Sequence, residues 1–124
     1  MLTRMLGVSW GHSATALTAG HRRASVDAAV NWWVRALRGR EGVDQDALEP
    51  FARALREDLA AGLDASYRVY LEANHQPKAV LRSAARAAGL NLDAFPRATT
   101  MAVTDARVEV SRAALEPYEL VHSA

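Results

Sequence analysis

Thr99-Thr100-Met101-Ala102-Val103-Thr104, then Asp105-Ala106, then Arg107-Val108-Glu109-Val110-Ser111 alternate polar and apolar side chains over two short runs. That alternation is the period of a strand with one buried face. If the runs pair as a hairpin, Met101 and Val103 share a face with Val108 and Val110, while Arg107 and Glu109 face water. Asp-Ala is a weaker turn than Asp-Gly, so the pairing rests on the alternation more than on the turn. Downstream, Tyr118–His122 adds an edge strand with Pro117 at its start, where a missing N–H does no harm. Upstream, Tyr67–Leu71 is a further strand, rich in aromatic and β-branched residues.

The remaining periodic segments are helical. Over Ser25–Arg38, Val26, Ala29, Val30, Trp33 and Leu37 recur at helical spacing. Ser25 is placed to cap, Asp27 lies in the first turn and Gly39 supplies a stop. A second helix over Ala47–Ala61 carries the stripe Leu48, Phe51, Leu55, Leu59 and Leu63. Asp46 and Glu49 form a capping box there, and Pro50 is tolerated in the first turn. After a turn at Asn74-His75-Gln76, Pro77 opens a third helix that stops at Gly89. The order α, α, β, α, β, β, β predicts an α+β fold. Two N-terminal helices precede a strand, a helix and a hairpin, and one face of a small antiparallel sheet is covered by helices.

A chain of 124 residues, half of them apolar, is sized for a single domain spanning 1–124. Residues 1–24 hold Arg4, Arg22 and Arg23 and no acid, and are read as a basic N-terminal arm. An organellar transit peptide has the same composition. No apolar run is long enough to span a bilayer, so no membrane role is expected. The absence of cysteine excludes disulfides, thiolate catalysis and cysteine zinc sites, and fits a cytoplasmic location. Fifteen basic against fourteen acidic residues leave a net charge of +1, which does not favour a nucleic-acid binder. All the cations except Lys78 are arginine, a bias of composition in an Ala-rich chain.

Gly7-Val8-Ser9-Trp10-Gly11 matches the G-x-S-x-G nucleophile elbow, and Asp105 and His122 follow in hydrolase order. The match lacks the strands that should precede it, so Ser9, Asp105 and His122 are expected not to converge and no catalytic residue is assigned. His12, His21, His75 and His122 show no ligand spacing, and no metal site or cofactor is assigned. His75 is the best placed of them, on a loop that opens a helix. Trp32 adjoins Trp33 on the first helix; Trp33 falls on the core stripe and Trp32 on its flank, where an interface anchor often sits. On the third helix Lys78, Arg82 and Arg86 form a basic ridge at i, i+4, i+8. Val80, Leu81, Ala84 and Ala88 lie on the other side.

Phe95-Pro96-Arg97-Ala98-Thr99-Thr100-Met101, preceded by Ala87-Ala88-Gly89-Leu90, resembles small phage and prophage proteins over roughly the last 75 residues of the chain. The resemblance implies an accessory protein that works by binding, for instance as an inhibitor of a host defence complex, and implies no catalytic residues. The reading is therefore a non-enzymatic protein-binding domain. Trp32, His75, Lys78, Arg82 and Arg86 face a partner with an acidic surface, and a homo-oligomer is compatible with it. A small enzyme or small-molecule binder, with His75, Arg82 and Tyr67 in a pocket between sheet and helices, is the first alternative. A nucleic-acid accessory protein using Arg22, Arg23 and the ridge is the second.

Overall fold

The hairpin forms where the alternation puts it. In the computed structural model, β2 (Thr99–Thr104) pairs antiparallel with β3 (Arg107–Ser111), and Val103 lies opposite Val108. Met101, Val103, Val108 and Val110 are buried on one face, and Arg107 is exposed on the other. The structure describes residues 2–73, 79–113 and 117–124, with side chains from residue 19 onward except those of Ala79 and Leu92. The other elements are α1 (Leu2–Leu37), α2 (Leu48–Ala65), β1 (Arg68–Ala73), α3 (Ala79–Ala88) and β4 (Glu119–Ser123), with short 3-10 turns at Gln45–Ala47 and Leu92–Ala94. The sheet order is β1-β2-β3-β4, antiparallel throughout. All three helices pack on one face of it, as an α+β fold with a half-solvated sheet requires.

The core lies between sheet and helices. Trp33 and Leu37 of α1, Phe51, Leu55 and Leu59 of α2, and Leu81 of α3 meet Leu71, Met101, Val103 and Val110 from the strands. Phe95, from the loop before β2, sits edge-on to Phe51 at 5.7 Å and tilted against Trp33 at 6.1 Å, so this loop is anchored by aromatic packing. α3 ends in a Schellman motif: Gly89 adopts φ 71°, its N–H donates to the Arg86 carbonyl, and the Leu90 N–H donates to the Ala85 carbonyl.

The outer strands are shifted from the expected bounds, β1 ending at Ala73 and β4 at Ser123, and the helices depart from expectation in three places. α1 begins at Leu2, not at Ser25. Ser25 is fully buried inside that helix, and its hydroxyl donates to the Asp105 carbonyl at 2.9 Å instead of capping. The Asp46–Glu49 capping box does not form. Asp44 caps the 3-10 turn by accepting from the Asp46 N–H, and α2 starts after Ala47 with no side-chain cap. Glu49 instead pairs with Arg53 on the solvent side at 3.7 Å. α2 also runs past Gly62, whose bare backbone allows close approach to β1, since a Cβ there would meet Val69 Cγ2 at 2.9 Å. The expected turn at 74–76 and helix start at Pro77 lie outside the described residues.

β4 is not a regular edge strand. His122 lies opposite Val108 and Leu120 opposite Glu109, so the ladder slips by one residue between them and Val121 is the extra residue of a bulge. Val121 packs against the core as a result.

Candidate binding cleft

The last two turns of α1 place Trp32, Arg35 and Ala36 at i, i+3, i+4, hence on one face. Gly39 (φ 71°) turns the chain back, with its N–H donating to Gln45 Oε1 at 3.0 Å, and brings Arg40 beside them. The pairing of Thr100 with Ser111 sets the start of β2 next to the end of β3, so Arg97 and Thr99 neighbour Arg112. These segments enclose a cleft of about 480 Å³ lined by Trp32, Arg35, Ala36, Arg40, Pro96, Arg97, Thr99 and Arg112.

Among the described residues no carboxylate lines this cleft, and none of its four arginines takes part in an ion pair. Trp32 is half-buried and packs edge-to-face on the buried Trp33 at 4.9 Å, which fixes its ring in the cleft wall. Ala98, between Arg97 and Thr99, holds φ 55°, a left-handed backbone that costs an alanine about 1 kcal/mol. The Thr99 hydroxyl is turned back on the chain, donating to the Arg97 carbonyl at 3.3 Å. Guanidinium forks beside an indole and a proline suit a planar anion carried on an apolar body.

The other sequence candidates fall elsewhere. His75 and Lys78 lie outside the described residues. Arg86 is exposed on α3, whereas Arg82 is half-buried and already partnered. Tyr67 is 74% exposed and stands with Tyr70, Tyr118 and Leu120 on or beside the open sheet face. Arg68 lies over the rings of Tyr67 and Tyr70 and donates to the Tyr70 hydroxyl at 3.0 Å. That hydrogen bond first, and the electrostatic effect of both rings next, raise its pKa above an already high value. A smaller cleft of about 140 Å³ lies on this face, lined in part by Arg68, Tyr70, Glu109 and Tyr118.

Arg22, offered above as a nucleic-acid contact, is instead a tie within the fold. Its guanidinium binds Asp105 at 2.6 Å and also pairs with Asp64. The Asp105 hydrogen bond is the largest influence, and with the Asp64 bond it outweighs partial desolvation to raise the Arg22 pKa. Asp105 is thereby engaged, and His122 Nε2 is buried without a hydrogen-bond partner among the described residues. The Ser9 side chain lies outside them. Among the described residues no group of three acidic or histidine side chains is placed to hold a metal, and no helix is long and apolar enough to cross a membrane.

No protein-family model matches the chain, and no curated protein matches it. Among solved structures it is similar to the BTG/Tob domain of C. elegans FOG-3, with a TM-score of 0.65, 14% identity and 82% of each chain covered. The likeness is one of fold. It matches the layered α+β architecture described above and assigns no residue of the cleft a role. Sequence reasoning reached Trp32 through its place on the stripe's flank. It missed Arg35, Arg40, Arg97 and Arg112, because nothing in their spacing links them before the sheet is built.

Proposed function

We propose that the chain is a non-enzymatic protein-binding domain that docks an acidic segment of a partner in the Trp32–arginine cleft. The observation that carries this reading is the set of four arginines around one half-exposed tryptophan with no carboxylate among the described lining residues. Like charges gathered in one cleft repel, and an anionic partner offsets that repulsion; Trp and Arg are also the residues that dominate binding energy at protein interfaces. The cleft lining offers binding groups and no nucleophile held by a base, which supports binding over catalysis. The exposed Arg86 of the α3 ridge would add a long-range attraction for the same partner. An inhibitor of a host defence complex, the role implied by the phage resemblance, would be one instance of this reading.

The test is titration of an acidic, aromatic-containing peptide into the purified chain at low and high ionic strength. Wild type is expected to bind, more weakly as salt rises. Arg35→Glu/Arg97→Glu should abolish binding while leaving the melting temperature near its original value, since both side chains are exposed. Arg86→Glu, which does not touch the cleft lining, should only slow association. Equal binding by wild type and the double variant would refute the reading.

A further inference from the structure

Resting on the docking reading above, we propose that the partner group seated in this cleft is a phosphorylated tyrosine. Three chain segments that are remote in sequence deliver Arg35 and Arg40, Arg97, and Arg112 to one cleft. A single carboxylate is satisfied by one guanidinium fork, so one acidic side chain seated in the cleft leaves most of this set without a partner. A phosphate ester carries roughly −1.5 to −2 charge and three acceptor oxygens at neutral pH, which matches several forks converging on one group.

The rest of the lining argues for what carries the phosphate. Trp32, Ala36 and Pro96 give the cleft an apolar wall, and Trp32 is held against Trp33 so its ring is pre-positioned for another ring. At about 480 Å³ the cleft is larger than a bare phosphate requires and falls in the range that seats a ring-bearing group. Ala98 keeps its strained φ of 55° directly between Arg97 and Thr99, so the backbone that carries Arg97 is held in one conformation at this site. A held ring with guanidinium forks around it favours a planar ring with an anion at its tip over a flexible acidic side chain.

The experiment compares four probes by calorimetry: an acidic peptide with one central phosphotyrosine, the same peptide with tyrosine, ATP and inorganic phosphate. The phosphorylated peptide is expected to bind at least about tenfold more tightly than its unphosphorylated form, in line with the greater strength of charge-assisted forks. Arg97→Lys/Arg112→Lys keeps the charge but removes two forks. It should erase the phosphate preference while retaining the weaker binding of the unphosphorylated peptide. Trp32→Ala should weaken the phosphorylated peptide more than it weakens inorganic phosphate. Equal affinity for both peptides would overturn the inference and leave the acidic-segment reading standing. Binding of neither peptide would overturn both. ATP binding more tightly than the phosphopeptide would assign the cleft to free nucleotides and overturn the inference as well.

Discussion

Ala98 is where backbone geometry and the cleft meet. At φ 55° its Cβ crowds the neighbouring carbonyl, a cost of about 1 kcal/mol, while glycine would remove that cost but return flexibility to the unfolded chain worth about 0.4–1 kcal/mol. The two effects nearly cancel, so Ala98→Gly is expected to leave the melting temperature almost unchanged. Ala98→Val adds a β-branch to a left-handed residue and should lower stability by about 2 kcal/mol. Thermal melts of both variants check this pair. A fall in stability for Ala98→Gly would show that the position is not strained in solution. Among the ionic contacts, the Arg22 tie depends on the arginine staying protonated. Its pKa is raised, so its contribution is present below the unfolded value and lost only as pH climbs through the folded one. Both lie beyond the pH range in which proteins ordinarily stay folded, so the tie of α1 to Asp105 is not weakened by loss of the arginine proton.

Among the elements, the strands were the most legible. Two-residue alternation survives folding because one sheet face is buried against helices, so Met101, Val103, Val108 and Val110 were readable as a set. Helix ends were less so. Ser25 has the chemistry of a cap, but its hydroxyl is better used by a turn 80 positions away, which no local signal shows. Asp46 has the chemistry to cap α2, but a 3-10 turn capped by Asp44 precedes that helix and leaves it with no side-chain cap. Gly62 shows a similar conflict between local and tertiary demands. Alanine there should favour the helix by about 1 kcal/mol, yet its methyl would lie 2.9 Å from the Val69 side chain. We expect Gly62→Ala to lower the melting temperature, and Gly62→Ala/Val69→Ala to lose less stability than the sum of the single changes. A double-mutant cycle measures that coupling, and additivity would mean that α2 moves away from β1 at no cost.

For the whole molecule, the fold class could be read from element order, but the cleft could not. Arg35, Arg40, Arg97 and Arg112 become neighbours only after α1 lies across the start of β2 and the end of β3. Linear spacing carries no trace of that approach. Arg82 and Arg86 could be set on one side of α3 for the opposite reason, because they are four residues apart on one helix. Local periodicity thus reveals surfaces made by one element and hides those made by several.

The tie between α1 and the 105–106 turn also bears on the order in which the molecule assembles. β2 and β3 are joined by two residues and α2 leads directly into β1, so these contacts close short loops. Arg22 and Ser25, by contrast, reach Asp105 across 83 and 80 positions. Contacts of such separation form late, because the chain must order much of itself before they return any free energy. Ser25→Ala leaves a part-buried carbonyl without its donor, a loss of about 1 kcal/mol. Stopped-flow measurements should place nearly all of that loss in faster unfolding, with the refolding rate unchanged. A slowed refolding limb would put α1 in the folding nucleus. On the expected result, the clasp holds the native state closed without helping to build it, and the lifetime of the finished cleft is set by how seldom α1 lets go.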